Sequence, residues 1–175
     1  MVIWLTGLSG SGKSTLSACL KEVLEKAGFS VFQLDGDIFR EKNNKKNEFA
    51  KKDILDNNYN IISYCQKAKK DYDFIIVSAI SPYQETRDKA RKIFNKKYLE
   101  IFLNCPLDIL IKNDIKGLYK KAKTGEIKNL IGFSENSPYE IPKNSDLEIM
   151  TDKVSIEDSL GEIIKILEKK YEIKL

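Results

Sequence analysis

Short apolar runs alternate with amphipathic segments from the beginning of the chain. Val2–Thr6 is an apolar run that predicts a strand, and Gly7 ends it. The following apolar positions recur at helical spacing, which predicts a helix with one apolar face made of Leu16, Leu20, Val23, Leu24 and Ala27. Gly28 is expected to end that helix, and residues 31–34 predict a second strand. The first 35 residues therefore indicate one strand–helix–strand unit.

The same alternation continues to the end of the chain. Residues 74–79, 99–103 and Leu147–Met150 predict three more strands. Two further apolar helical faces are predicted, at Ile61, Ile62, Cys65 and Ala68 and at Ile156, Leu160, Ile163, Ile164 and Leu167. Residues 39–52 are polar and aperiodic, which indicates a surface binding loop. Strands that alternate with helices predict an α/β three-layer sandwich with a five-stranded parallel sheet and ligands at the carboxyl ends of its strands.

Two helix starts and one lysine-rich segment complete the pattern. Ser81-Pro82 is expected to cap and open a helix that carries Arg87 and Arg91. Ser155 and Asp158 form a capping box for the last helix. Residues 112–132 contain six lysines, two acidic residues and three glycines. From the pattern alone, this segment is either a solvated surface helix or a functional element.

Composition narrows the classes of protein. A chain of 175 residues with 42% hydrophobic and 32% charged residues forms a single folded domain. The sequence contains no histidine, which excludes catalytic triads, bases and metal sites that use one. A net charge of +4 suits an anionic ligand without requiring nucleic acid. Cys19, Cys65 and Cys105 lie within apolar patterns, and no signal peptide or 18-residue apolar stretch is present, so we expect a reduced cytoplasmic protein with no membrane partner.

The strongest motif follows the first strand directly. Residues 7–14 read Gly-Leu-Ser-Gly-Ser-Gly-Lys-Ser, which fits the phosphate-binding pattern G-x-x-x-x-G-K-[ST] between a strand and a helix. In such a loop, backbone N–H groups surround the phosphates, the lysine reaches the β- and γ-phosphates, and the final hydroxyl faces Mg²⁺. The predicted nucleotide-binding residues are Ser9, Gly10, Ser11, Gly12, Lys13, Ser14 and Thr15.

Other sequence features indicate the kind of nucleotide-binding protein. The fourth strand is followed by Asn-Cys-Pro-Leu rather than the guanine-reading Asn-Lys-x-Asp, and the third ends at Ser78-Ala79 rather than at an acidic pair. These features disfavour a GTPase and an ATPase motor. Asp35 and Asp37 instead follow the second strand, where one carboxylate can face metal-bound water and the other an acceptor hydroxyl. The pair favours a small-molecule kinase, and a plain Asp-Gly turn is the alternative.

Several blocks together resemble adenylylsulfate kinases over nearly the whole chain. They are residues 7–15, Asp35-Gly36-Asp37 with Arg40, Ile80-Ser81-Pro82-Tyr83, the Lys-Gly-Leu-Tyr-Lys-Lys-Ala block at 116–122 with 125–129, and Pro138-Tyr139-Glu140 with Pro142. The resemblance implies a single P-loop kinase domain over residues 1–175, with a mobile lid at about 112–132. It also implies transfer of a phosphoryl group from ATP, with Mg²⁺, to a ribose 3′-hydroxyl on a nucleotide that carries an anionic group.

The resemblance also assigns roles to individual residues. The catalytic residues would be Lys13, Asp35 and Asp37, the Mg²⁺ ligands Ser14 and Asp35, and Asn113 a further nucleotide contact. Residues expected to contact the acceptor are Asp37, Arg40, Phe49, Asn57, Ile80, Ser81, Lys116 and Leu118. Asp37 is the candidate to orient or deprotonate the 3′-hydroxyl. Ser81 has two interpretations, a phosphoryl acceptor or, as we favour, an N-cap.

Departures from the family pattern bear on the acceptor. Ile54, Tyr59 and Asn60 stand where the family has arginines, and Leu130 stands where an aromatic residue is expected. Because isoleucine cannot make bidentate anion contacts, we expect an acceptor other than adenylylsulfate. The chain resembles a branch of the family that phosphorylates cytidine diphosphoramidate in bacterial capsule phosphoramidate biosynthesis, and this resemblance implies that compound as the acceptor, with adenylylsulfate as the alternative. A second alternative is a non-catalytic nucleotide-binding regulator. The partner is then a nucleotide-type small molecule, and the sequence leaves monomer and homodimer open.

Overall fold

The computed structural model describes residues 1–42 and 50–174, and its strands form one parallel sheet. The strands are β1 (Val2–Thr6), β2 (Val31–Asp35), β3 (Phe74–Ser78), β4 (Tyr98–Asn104) and β5 (Leu147–Met150). They are hydrogen-bonded in the order β2-β3-β1-β4-β5, with every neighbouring pair parallel. The predicted five-stranded parallel sheet is confirmed.

The α-helices of the described residues connect these strands. They are α1 (Lys13–Lys26), α2 (Gly36–Lys42), α3 (Lys51–Ala68), α4 (Gln84–Phe94), α5 (Leu107–Asn113), α6 (Leu118–Lys123) and α7 (Ile156–Tyr171). Helix α1 ends as predicted, since the amides of Gly28 and Phe29 donate to the carbonyls of Glu25 and Leu24 and Gly28 has φ 91°. The Ser155 hydroxyl accepts a hydrogen bond from the Asp158 amide, which confirms the predicted cap of α7.

Apolar side chains cover both faces of the sheet. Alternate residues of β1 point to opposite faces, so Ile3 and Leu5 pack in a core cluster with residues of α1 and α7, whereas Val2 and Trp4 pack in a second cluster with residues of α3 and α4. Every residue of β1 and β3 is buried. Helices on both faces make the three layers that the alternation predicted.

Two predicted features differ from the structure. Residues 39–52 are not a continuous loop, because α2 extends to Lys42 and α3 begins at Lys51, while residues 43–49 lie outside the described part of the chain. The polar helix α2 forms because the Asp35 carboxylate accepts the Asp37 amide at 2.9 Å and so caps its first turn. The cap predicted at Ser81 is also wrong, since α4 begins at Gln84, and the Gln84 amide donates to the Glu140 carboxylate at 2.6 Å instead.

The cysteines, which the sequence places within apolar patterns, are buried to different extents. All three cysteines are unpaired, but Cys65 alone is fully buried, whereas Cys19 and Cys105 are half-buried. Burial raises the pKa of the Cys65 thiol to about 12.

Within residues 1–42 and 50–174, no helix has the length and apolar character needed to span a membrane.

Candidate active site

Three strand ends converge on one cleft. β1 and β3 are neighbours in the sheet, and the connections that follow them run in opposite directions, from β1 to β2 and from β3 to β4, which opens a crevice at their carboxyl ends. The phosphate-binding loop follows β1, Asp35 ends β2 with Asp37 two residues beyond it, and Ser78 ends β3 with residues 79–80 beyond it. The cleft is lined by Ser9, Gly10, Gly12, Lys13, Ser14, Thr15, Asp35, Asp37, Ser78, Ala79, Ile80, Ile115 and Lys116.

The phosphate-binding loop depends on glycine at its first position. Gly7 has φ 149°, and a Cβ there would lie 2.5 Å from the Leu103 carbonyl oxygen. This close approach places the loop over the ends of β1 and β4. The loop ends at Gly12, which has φ 89° and precedes the first turn of α1. The first amides of α1 therefore face the cleft, where they can bind phosphate.

Lys13 is held within this loop. Its ammonium donates to the carbonyls of Gly7 at 2.9 Å and Leu8 at 2.7 Å. Burial lowers the pKa of Lys13 to about 8, with the charge of Lys116 acting in the same direction and Asp37 and Asp35 opposing it. The ammonium is thus desolvated and directed at the loop before any phosphate is bound.

Ser14 and Asp35 form a hydroxyl–carboxylate pair beside the loop. The Ser14 hydroxyl donates to Asp35 Oδ2 at 2.8 Å. Both are hard oxygen ligands of the kind that Mg²⁺ binds, and Mg²⁺ commonly takes its other ligands from substrate phosphates and water. The described residues contain no cluster of three or more metal-ligating side chains. A magnesium ion that arrives with a nucleotide fits this pair.

Asp37 faces Lys116 across the cleft. Lys116 Nζ donates to Asp37 Oδ2 at 2.9 Å, and both side chains are about half exposed. Burial would raise the pKa of Asp37, but the Lys116 hydrogen bond and the charges of Lys116, Lys13 and Arg40 hold it below its usual value. Asp37 is therefore ionised at neutral pH and can accept a hydrogen bond from a hydroxyl group.

The lysine-rich segment crosses the phosphate-binding loop. Its helix α6 is capped by Asp114, whose carboxylate accepts the amides of Tyr119 at 3.1 Å and Lys120 at 2.8 Å. The buried Tyr119 hydroxyl donates to the Ser9 carbonyl at 2.9 Å. Sequence reasoning missed Tyr119 as a contact to the loop, although the residue lies within the lysine-rich block.

Only some of the remaining predicted site residues line the cleft. Ile80 lines the cleft, but Arg40, Asn57, Ser81 and Leu118 are not among its lining residues. Asn113 lines a separate cavity of about 390 Å³ on the far side of the loop, together with Gly10, Ser11, Gly12 and Thr15. Phe49 lies outside the described residues.

Ser81 is bound inside the protein instead of capping a helix. Its hydroxyl donates to Asn58 Oδ1 at 2.6 Å and accepts from Trp4 Nε1 at 2.9 Å, and the residue is 1% exposed. With its hydroxyl committed to these two partners, Ser81 is unavailable as an N-cap. Asn58, which sequence reasoning passed over in favour of its neighbour Asn57, carries no local signal of this contact.

Relatives and solved structures resemble the chain over its full length. Residues 1–150 match the family model described as Adenylylsulphate kinase. The adenylyl-sulfate kinase of Halothermothrix orenii is 41% identical over 176 residues, which span 100% of this chain and 93% of the relative. That of Chloroflexus aurantiacus is 42% identical over 97% of this chain and 89% of the relative.

Structural comparison gives the same result. The Mycobacterium tuberculosis APS kinase, solved in complex with AMPPNP and APS, has a TM-score of 0.88 and 35% identity over 96% of this chain and 97% of that one. Shikimate kinase from Aquifex aeolicus has a TM-score of 0.58 at 14% identity, which shows a shared fold alone. These matches confirm the predicted α/β fold and the predicted ATP- and Mg²⁺-dependent phosphotransferase with an alcohol group as acceptor.

The comparisons overturn the predicted acceptor. The prediction of cytidine diphosphoramidate is wrong, because relatives about 40% identical over the full chain are adenylyl-sulfate kinases, and nothing supports a role in capsule biosynthesis. That prediction relied on replaced arginines, but Ile54 is buried in an apolar cluster with Tyr83 and Ile131, so its replacement does not define another ligand. The match over residues 1–150 and these full-length relatives show that the chain belongs to the adenylylsulfate kinase family.

Proposed function

We propose that this protein transfers the γ-phosphoryl group of ATP to the ribose 3′-hydroxyl of adenylylsulfate. The observation that carries the proposal is the convergence of the phosphate-binding loop, the Asp35–Asp37 pair and the lid lysine Lys116 on one cleft, in a chain of this family. These are the groups needed for positioning and electrostatic stabilisation, on which phosphoryl transfer largely depends.

The donor side of the site uses the loop and the start of α1. Backbone amides from Ser9 to Thr15 are proposed to bind the phosphates of ATP, with Asn113 near the rest of the nucleotide. Lys13 would exchange its contacts with the Gly7 and Leu8 carbonyls for the β- and γ-phosphates. Ser14 and Asp35 are proposed to hold Mg²⁺, which neutralises phosphate charge when bound.

On the acceptor side, Asp37 is proposed to orient the 3′-hydroxyl. Its lowered pKa makes it a weak base while Lys116 is bound to it. If Lys116 moves to the phosphates when the site closes, Asp37 loses that partner and becomes more basic. Asp37 then accepts the hydroxyl proton late in the reaction, since a loose transition state requires little help from a base.

Cationic groups near Asp37 are proposed to receive the anionic end of adenylylsulfate. Arg40 lies on α2 one turn after Asp37. Burial lowers the pKa of Arg40, and the charges of Asp37 and Asp53 oppose this shift. Lys116 is the second such group, and Ile80 forms the adjacent wall. Phe49, Asn57, Ser81 and Leu118 remain proposed contributors to acceptor binding or to the shape of the site.

The chain is proposed to act as one P-loop kinase domain, residues 1–175, with a lid at about 112–132. Glycines at both ends of the lid helix support this, because Gly117 (φ 67°) and Gly125 (φ 80°) have a wider range of accessible backbone angles than other residues. The proposed assembly is a homodimer, which light scattering tests directly. The APS kinase of Thiobacillus denitrificans is hexameric.

The experiment is a product analysis with purified protein, ATP, Mg²⁺ and adenylylsulfate. We expect ADP release that depends on the acceptor, with mass spectrometry showing one added phosphoryl group on the ribose. Lys13→Ala should lower kcat by about 10³-fold or more without loss of fold, because charge on the transferred phosphoryl group is no longer stabilised. ADP release that does not depend on adenylylsulfate would contradict the proposal and indicate plain ATP hydrolysis, and no ADP release at all would favour a non-catalytic nucleotide-binding regulator.

A further inference from the structure

Arg87 is a fully buried cation outside the cleft. It lies on α4 and is 1% exposed. Its nearest carboxylate is that of Glu100 on β4, also 1% exposed, with Arg87 Nε 3.5 Å from Glu100 Oε1 and no hydrogen bond between these atoms. A buried charge is costly unless it is paired and hydrogen-bonded. The remaining contacts of Arg87 must therefore account for its burial.

Those contacts go to two backbone segments. Arg87 Nη1 donates to the Ser81 carbonyl at 2.6 Å, and Nη2 donates to the Glu140 carbonyl at 2.6 Å and to Gln84 Oε1 at 2.8 Å. Its guanidinium also lies 5.8 Å from the ring centre of Tyr139. Arg87 thus connects the turn after β3 to the segment around Tyr139.

The turn after β3, residues 80–83, is held by its carbonyl groups. The Ile80 carbonyl accepts from Thr6 Oγ1 at 2.6 Å, and the Pro82 carbonyl accepts from the Glu140 amide at 2.8 Å. Arg87 holds the carbonyl between them, that of Ser81, which has φ 45°. A serine with positive φ is strained and keeps this conformation only where its surroundings enforce it.

This turn forms part of the cleft. Ile80 lines it beside the Asp35–Asp37 segment, which packs so closely on the end of β3 that a Cβ on Gly36 would lie 2.9 Å from the Ala79 Cβ. A shift of the Ser81 backbone would move Ile80 relative to Asp37. The phosphate-binding loop follows β1 and is joined to this turn through the hydrogen bond between Thr6 and the Ile80 carbonyl, so we expect a smaller effect on the loop than on Ile80 itself.

We propose that Arg87 is a positioning residue for the acceptor, because it holds the strained turn at Ser81 and thereby sets the position of Ile80 in the cleft beside the Asp35–Asp37 segment. The inference deepens the proposed function and rests on it for the identity of the acceptor. Arg87 acts through the backbone of the turn and touches no substrate.

Arg91 provides a matched control. It lies one helical turn after Arg87 and also pairs with Glu100, at 3.3 Å, but its other contacts are Asp146 at 2.9 Å and the Asn144 carbonyl at 2.9 Å, away from the cleft. We would compare Arg87→Met with Arg91→Met, each combined with Glu100→Gln so that one positive and one negative charge are removed together and the two double variants differ only in the arginine replaced, and with Glu100→Gln alone. Replacement of a buried ion pair as a unit is commonly tolerated.

The Arg87→Met combination should lower kcat/KM for adenylylsulfate by about ten- to a hundredfold, while the KM for ATP stays within about twofold. The Arg91→Met combination should have the same kcat/KM for adenylylsulfate as Glu100→Gln alone. Arg87→Lys retains the charge but lacks the planar fork, so it should recover part of the loss. Equal losses in the two combinations, or a loss that affects ATP and acceptor equally, would overturn the proposal.

Hydrogen exchange separates this inference from the proposed function. In the absence of any ligand, the Arg87→Met combination should speed exchange of amides in residues 79–83 relative to the Arg91→Met combination. If the natural chain does not phosphorylate adenylylsulfate, the proposed function fails, and this comparison alone decides the role of Arg87. Unchanged exchange in residues 79–83 refutes that role.

Discussion

At the scale of single residues, Asp37 and Ser81 have opposite environments. The Asp37 side chain is 55% exposed and faces the cleft, whereas Ser81 is 1% exposed and has both a hydrogen-bond donor and an acceptor as fixed partners. A nucleophile must reach the phosphoryl group and needs an adjacent base. The contacts of Ser81 serve structure, and transfer directly to the acceptor is the expected route.

This difference predicts two mutants with opposite phenotypes. Asp37→Asn should lower kcat by about 10²- to 10⁴-fold with little change in stability, because orientation and proton acceptance are lost. Ser81→Ala should keep most of kcat but lower the free energy of unfolding by about 1–3 kcal/mol, because Trp4 Nε1 and Asn58 Oδ1 lose their buried partner. Steady-state kinetics and urea denaturation measure both. Phosphoserine trapped at Ser81 in a functional intermediate would contradict direct transfer.

At the scale of elements, the contact between α2 and the end of β3 sets the position of the aspartates. A Cβ on Gly36 would lie 2.9 Å from the Ala79 Cβ and 3.3 Å from the Ser78 carbonyl oxygen. Residues 35–37 can therefore lie against β3 only with glycine at the centre.

Gly36→Ala should separate these two segments and lower kcat by about tenfold or more, since small displacements of reacting groups are costly. The double variant Gly36→Ala/Ala79→Gly removes the closest clash and should recover part of the activity. Its recovery is incomplete because the Ser78 carbonyl remains in place. Activity assays on the three variants, with Ala79→Gly as the control, test the contact, and an unaffected Gly36→Ala enzyme would show that the approach is not critical.

The lid is the second element with a testable behaviour. In the structure it touches the site through Lys116, bound to Asp37, and Tyr119, bound to the Ser9 carbonyl. Lys116 should leave Asp37 for the phosphates when ATP and acceptor bind together, and closure should exclude water.

Amide exchange in residues 112–132 should therefore slow more with both substrates bound than with either alone. A non-hydrolysable ATP analogue with adenylylsulfate allows this measurement without turnover. The second half of α7 is a suitable internal reference, because it lines neither the cleft nor the cavity beside Asn113 and should not respond. Equal protection with and without ligands would leave these lysines as surface residues.

At the scale of the whole molecule, burial of the Lys13 ammonium links stability to pH. Its pKa in the folded protein is about 8, against 10.5 for the unfolded chain. Between these values the unfolded state binds more protons, so stability rises as the pH increases through this range. Below pH 8 the folded protein retains the full cost of the buried charge.

Lys13→Met should therefore be more stable than the natural protein at pH 7, by an amount on the order of 3 kcal/mol that shrinks as the pH approaches 10. Urea denaturation of both proteins at pH 7 and pH 9.5 gives the difference directly, with other titrating groups common to both. A difference independent of pH would show that Lys13 is not desolvated. With ATP bound, the natural protein should become the more stable of the two, because it alone gains stability from the lysine–phosphate contact.

Local patterns in the sequence were sufficient for the strands, most helices and the donor side of the site. Strand and helix periodicities depend on near neighbours along the chain, so β1 and β5 have the predicted bounds. The phosphate-binding loop and the Asp35–Asp37 pair are each a short continuous stretch of sequence at the end of a predicted strand. Their meeting in one cleft follows from a parallel sheet, because its carboxyl ends lie on one edge.

Contacts between distant segments were decided only by the tertiary structure. The Lys116–Asp37 pair, the Tyr119–Ser9 hydrogen bond and the Ser81 contacts join residues far apart in sequence, and neither partner carries a local signal of the other. The sequence shows that Ile54 replaces an arginine but not that it points into an apolar cluster. The packing of the helices on the sheet decides which polar groups are buried and which hydrogen-bond partners they find. That packing is a property of the whole chain.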